Sequence, residues 1–117
     1  MPSIVISSSK LENEVRDKIA ADLTSDLISL LDVSAVQVYF NEYDTIYFNG
    51  SPDTGNIIMV TVNGPVIEKD TLAEMCSAVT SSVRNAAQNQ DFRVTFVYQP
   101  SGKDHVGSNG VLLSMRK

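Results

Sequence analysis

The chain has 117 residues and a mass of 12.8 kDa, room for one domain and one core; with 43% hydrophobic and 20% charged residues it is not a disordered polymer. Nine basic against fourteen acidic residues give a formal charge of −5, which argues against a nucleic-acid partner and against an anionic membrane surface. A single cysteine, Cys76, and a single histidine, His105, leave no disulfide framework and no zinc-ligand spacing, so no metal site is expected.

The opening Met-Pro-Ser-Ile-Val-Ile has neither a basic start nor a long apolar run, and no stretch approaches the length of a membrane span. The expected address is the cytoplasm. Ser3–Ser8 is short, β-branched and bounded by serines, and reads as a strand. Ser9-Lys10-Leu11-Glu12 has the spacing of a capping box, which would open a helix there. Leu11, Val15, Ile19, Leu23, Leu27 and Leu30 then recur every three or four residues, predicting a one-sided amphipathic helix that ends near Asp32. Ala35–Phe40 alternates as a second strand. Thr45–Phe48 is a short β piece stopped by the turn signal Asn49-Gly50.

The plan then repeats. Asn56–Val62 is a strand of nearly continuous β-formers, broken by Asn63-Gly64-Pro65. Leu72, Met75, Cys76, Val79, Val83 and Ala86 mark a second helix ending around Gln88-Asn89. Arg93–Tyr98 is another strand. A polar loop from Lys103 to Gly110 leads to a last apolar piece, Val111–Leu113. Corresponding elements lie about 57 residues apart, giving two βαβ units near residues 1–55 and 56–117 of a single domain. Helix-length crossovers require parallel pairing within each unit. The expected fold is therefore α+β: a four-stranded mixed sheet with both helices on one face. The strands carry apolar residues in both alternating sets, so the bare face predicts burial against other subunits.

Ordinary catalytic constellations are missing. No nucleophile elbow and no phosphate loop occurs. His105 reads as a solvated loop histidine, with a pocket residue as the alternative, and Cys76 as a buried thiol on the apolar stripe of the second helix, with a reactive thiol as the alternative. The serine run Ser7–Ser9 reads as a helix entry and Ser81-Ser82 as a solvated helix face. Pro2 differs. Removal of the preceding methionine would leave a secondary amine at the head of a strand. An α-amino group has an ordinary pKa of about 8, and burial moves it towards neutrality. A neutral amine there is a general base or a carbonyl nucleophile.

Pro2 at the head of a paired βαβ chain resembles the tautomerase superfamily, in particular its groups related to macrophage migration inhibitory factor and 5-carboxymethyl-2-hydroxymuconate isomerase. Phe48-Asn49-Gly50-Ser51-Pro52 is similar to the β-turn insertion of the inhibitory-factor group. Arg93–Tyr98 followed by Val106-Gly107 is similar to its fourth strand and pocket loop. The resemblance implies a homotrimer whose sheets form a central barrel, no cofactor, and Pro2 shuttling a proton on a small 2-oxo or enol carboxylate. It implies substrate contacts from Lys10, Gln37, Thr95 and Val106, some across a subunit boundary. The chain departs from the family where a pocket lysine is replaced by Ser29 or Asp32, depending on the gap, and a pocket tryptophan by Ser108. A tautomerase-fold binding or assembly protein without catalysis is the alternative. A ferredoxin-like ligand-binding domain is a third, and would require antiparallel sheet neighbours.

Overall fold

The computed structural model describes residues 2–53 and 55–116. The chain runs β1 (Ser3–Ser9), α1 (Asn13–Leu31), β2 (Gln37–Tyr43), a hairpin of β3 (Tyr47–Phe48) and β4 (Ser51–Pro52), β5 (Ile57–Gly64), α2 (Lys69–Ala87) and β6 (Arg93–Pro100). A 3-10 turn at Lys103–His105, a second hairpin of β7 (Gly107–Ser108) and β8 (Val111–Leu112), and a 3-10 turn at Leu113–Met115 complete it. The sheet order is β2-β1-β5-β6. β1 pairs with β2 and β5 with β6 in parallel, while β1 and β5 run antiparallel. This is the paired βαβ plan, and its parallel outer pairs exclude the ferredoxin-like alternative.

Period-two alternation sets which face of the sheet is covered. Ile4 and Ile6 of β1 and Ile58, Val60 and Val62 of β5 are fully buried beneath the helices. α1 supplies Ile19, Leu23 and Leu27, one per turn, and α2 supplies Met75, Val79, Val83 and Ala86. Each of the larger side chains, Ala86 excepted, contributes about 1.5–3 kcal/mol relative to exposure. The helices are also tied directly, the Ser82 hydroxyl donating to the Asp26 carboxylate at 2.7 Å. Both helices stop at a residue in the left-handed region, Asp32 (φ 52°) and Gln88 (φ 53°). The Asp32 N–H reaches back to the Ile28 carbonyl at 3.1 Å, satisfying one of the last free carbonyls.

The opposite face is open. Its rows across the sheet are Gln37–Ser3–Asn63–Gln99, Tyr39–Val5–Thr61–Val97 and Asn41–Ser7–Met59–Thr95. Tyr39, Tyr43, Met59 and Val97 are exposed there. The face is mixed rather than uniformly apolar.

Three sequence expectations are corrected. Ser9 opens no capping box, because it remains in β1 opposite Tyr43 and the helix begins only at Asn13. The Glu42 carboxylate serves the junction instead, accepting from the Leu11 N–H at 2.7 Å and from Arg16 Nη1 at 3.3 Å. The run Ser7–Ser9 is accordingly strand, not helix entry. Cys76 is exposed; it follows Met75 by one residue, a turn of 100° away from the buried stripe.

Candidate active site

The antiparallel pairing of β1 with β5 places the C-terminal ends of β5 and β6 beside the start of β1. Pro2 stands at that corner. It is fully buried, and its carbonyl accepts from the Gln37 N–H at 3.3 Å. A cavity of about 520 Å³ opens there. It is lined by Pro2 and Ser3, by the end of β5 at Asn63, Gly64 and Pro65, by the loop residues Ser101, Lys103, His105, Val106 and Gly107, and by Val33 and Leu113. Among the described residues no Asp or Glu lines it, although the chain has fourteen.

The lining is fixed by local bonds. Ser101 N–H donates to the Gly64 carbonyl at 2.7 Å, closing the exit from β6 onto the end of β5. The Tyr98 hydroxyl donates to the Pro65 carbonyl at 2.5 Å, and burial pushes its pKa above the ordinary tyrosine value. Gly64 is required by this contact, since a Cβ there would come 2.5 Å from the Tyr98 oxygen. In the loop wall, His105 N–H donates to the Gly102 carbonyl at 2.9 Å and Leu113 N–H to the Val106 carbonyl at 2.8 Å. Asn109 (φ 53°) and Gly110 (φ 85°) make the tight turn between β7 and β8, both in the left-handed region a type I′ hairpin needs. Arg116 Nη2 donates to the Ser108 carbonyl at 2.8 Å. The loop is thus a braced structure.

Of the residues singled out in the sequence, Pro2 and Val106 line this cavity together. Lys10 follows the far end of β1, about 25 Å from Pro2 at the rise of an extended strand, and is exposed. Gln37 lies at the Pro2 end but on the open face, where its side-chain oxygen accepts from the Tyr39 hydroxyl at 2.9 Å. Thr95 is on the same open face, about 13 Å along β6 from the row that contains Gln37 and Ser3. Within one protomer these three are not assembled with Pro2.

One cavity residue carries no signal of its own in the sequence: Lys103 brings a cation to the cavity that Lys10 does not reach. His105 is exposed, as expected of a loop histidine, and also borders the cavity, its second reading. The signal was topological. Once β1 and β5 are antiparallel, whatever follows β6 must lie at the Pro2 end, so the basic residues next to Val106-Gly107 are brought there too. Met1 precedes Pro2 in the sequence and lies outside the described residues.

No protein-family model matches the chain. No curated protein matches it either. Solved structures do. Pt0534, inactivated by 2-oxo-3-pentynoate, superposes with a TM-score of 0.85 at 13% identity over 96% of each chain. A symmetric trimer of wild-type fused 4-OT gives 0.84 at 13% identity, covering 97% of this chain and 99% of that one. MIF2 of Leishmania major gives 0.79 at 19% identity, covering 96% and 97%. The chain has the tautomerase fold.

Proposed function

We propose that this protein is a small tautomerase-like enzyme that interconverts keto and enol forms of a 2-oxo carboxylate, with Pro2 as general acid and base after removal of Met1. The observation that carries this reading is the buried Pro2 in a cavity whose charged neighbour is Lys103 and whose described lining has no carboxylate. Enclosure favours the uncharged amine, the form able to take a proton from carbon. The Lys103 ammonium would bind the substrate carboxylate as a point charge, and the enolate that develops beside it would be stabilised by the same field. Val106 and Leu113 would cover the apolar side of a small acid.

A homotrimer is part of this proposal. The mixed open face, with Tyr39, Met59 and Val97 exposed, suits burial against other copies, and the fused 4-OT neighbour is a symmetric trimer. Lys10, Gln37 and Thr95 would then act on a cavity only from an adjoining subunit. No helix among the described residues is long and apolar enough to cross a membrane; the cytoplasmic address remains the working expectation.

The test is phenylpyruvate tautomerisation by wild type and Pro2→Ala. We expect a loss of at least about 100-fold in kcat for the variant, the usual scale for removing a positioned acid–base group. Equal rates refute the reading. Intact mass of natively expressed chain supplies the companion check. A mass that retains methionine leaves Pro2 as an amide without basicity, and supports a non-catalytic binding or assembly role on the same fold. Labelling with 2-oxo-3-pentynoate, which inactivates Pt0534, should modify the N-terminal peptide of the processed chain only.

A further inference from the structure

Pro2 and Lys103 have roles in the proposed reaction, and His105 beside them has none. His105 closes a 3-10 turn whose backbone is braced on Gly102 and on the hairpin behind it. Its imidazole lies beside Gly102, where Nδ1 is 3.7 Å from the position a Cβ would occupy. Among the described residues no hydrogen bond engages its ring, yet the residue lines the same cavity as Pro2. An imidazole with no partner among the described residues, in the same cavity as an amine assigned to carbon, is a candidate for the other half of the same reaction.

We propose that His105 is a second proton-transferring residue of this cavity, acting on the substrate oxygen while Pro2 acts on carbon. The inference rests on the assignment of Pro2 made above. In ketonisation the enol O–H bond breaks and its proton passes to the neutral imidazole. The oxygen electron pair forms the carbonyl, and the C=C pair takes a proton from the Pro2 ammonium to make the new C–H bond. Pro2 ends neutral and His105 protonated, and a proton returning through solvent from one to the other resets the site. Lys103, engaged with the carboxylate, takes no proton in this cycle. The charged groups of the surrounding elements are Lys103 and Asp104 on the same turn, Arg116 beyond the C-terminal turn, and the Pro2 amine on β1.

The experiment measures kcat, KM and their pH profiles for wild type, His105→Ala, His105→Gln and Pro2→Ala, with and without free imidazole. We expect His105→Ala and His105→Gln to lose roughly 10- to 100-fold in kcat with KM within about twofold, and one limb of the kcat pH profile to vanish. Free imidazole should restore a measurable part of kcat to His105→Ala, and none to His105→Gln, whose side chain still fills the space. An unchanged kcat in both His105 variants, with Pro2→Ala inactive, overturns this inference and leaves the Pro2 reading intact. A rise in KM alone, or a kcat loss in His105→Ala that imidazole does not restore, overturns it as well, by making His105 a binding or packing residue. Activity retained by Pro2→Ala refutes the Pro2 assignment, and this inference with it.

Discussion

The two ends of the sheet are built alike and finished differently. At one, the Gln37 N–H donates to the Pro2 carbonyl; at the other, the Arg93 N–H donates to the Asn56 carbonyl at 2.8 Å. Each βαβ unit is followed by a hairpin with an Asn-Gly turn at positive φ. Each hairpin is pinned by the same bond, Asp53 N–H to the Ile46 carbonyl in the first and Leu113 N–H to the Val106 carbonyl in the second. The difference lies in the side chains. At the Asn56 end the Asp53 carboxylate accepts from the N–H groups of Gly55 (3.0 Å) and Asn56 (2.8 Å). Asn89 Nδ2 donates to the Asn56 side chain at 3.2 Å, and Arg93 stacks 4.1 Å over the Phe48 ring. At the Pro2 end the residue at the matching place on α1's exit is Val33, and a serine, Ser108, stands where the first hairpin has Phe48. One end is stitched by polar bonds; the other keeps a cavity lined by a proline, a lysine and a histidine. A scaffold can therefore be repeated in plan while a cavity is left at a single end.

Substitutions at what distinguishes the two ends should act separately. After Pro2→Ala, the largest effect should follow Lys103→Ala at the open end. KM for a carboxylate substrate should rise roughly 10- to 100-fold, the equivalent of a lost charge-assisted hydrogen bond, while the melting temperature stays unchanged because Lys103 is exposed. Steady-state kinetics beside a thermal melt tests both halves of that expectation. At the stitched end Asp53→Ala should do the reverse. Removing an acceptor shared by two N–H groups should cost about 1–2 kcal/mol in denaturant unfolding and leave kcat/KM for the distant site unchanged. Inactivation by Asp53→Ala in a fully folded protein would show that the ends are not independent.

A smaller effect is expected for Tyr98→Phe, which removes the hydroxyl that braces Pro65. About 1 kcal/mol of stability should be lost at neutral pH. The pH dependence has a definite sign. Burial raises the Tyr98 pKa in the folded state, so its contribution is fully present below the unfolded value of 10.0 and declines as pH rises through the higher folded value. Wild type should therefore lose its advantage over Tyr98→Phe above pH 10, measured by paired melts across that range. A difference that stays constant across the range would mean that Tyr98 ionises alike in both states.

Much of the architecture was legible because period-two and period-four patterns report burial directly. Ile4 and Ile6, or Leu23 and Leu27, have one physical reason to recur as they do. Spacing alone was less reliable at the boundaries. Ser9 and Glu12 satisfy a capping pattern, but continued pairing with Tyr43 outcompeted it, and the acceptor that serves the junction comes from Glu42, thirty-one positions away in sequence. Cys76 shows that membership of an apolar helix does not fix a side chain's azimuth. For the site, Pro2 and Val106 were visible as chemistry and as family likeness. Lys103 was visible only as part of a polar loop, and His105 only as a loop histidine with a pocket residue as the alternative, because their place beside Pro2 depends on strand direction, a property no local window contains.

The loop wall of the cavity comes from a single uninterrupted run, residues 101–113, with bonds to the body of the sheet at Ser101 and internal bracing beyond it. Such an arrangement behaves as a cassette. Exchange of that stretch alone would reshape the cavity while the helices and the proline-bearing strand stay as they are. Diversification of this protein would then proceed by replacing a short ribbon of chain, without rebuilding its foundation.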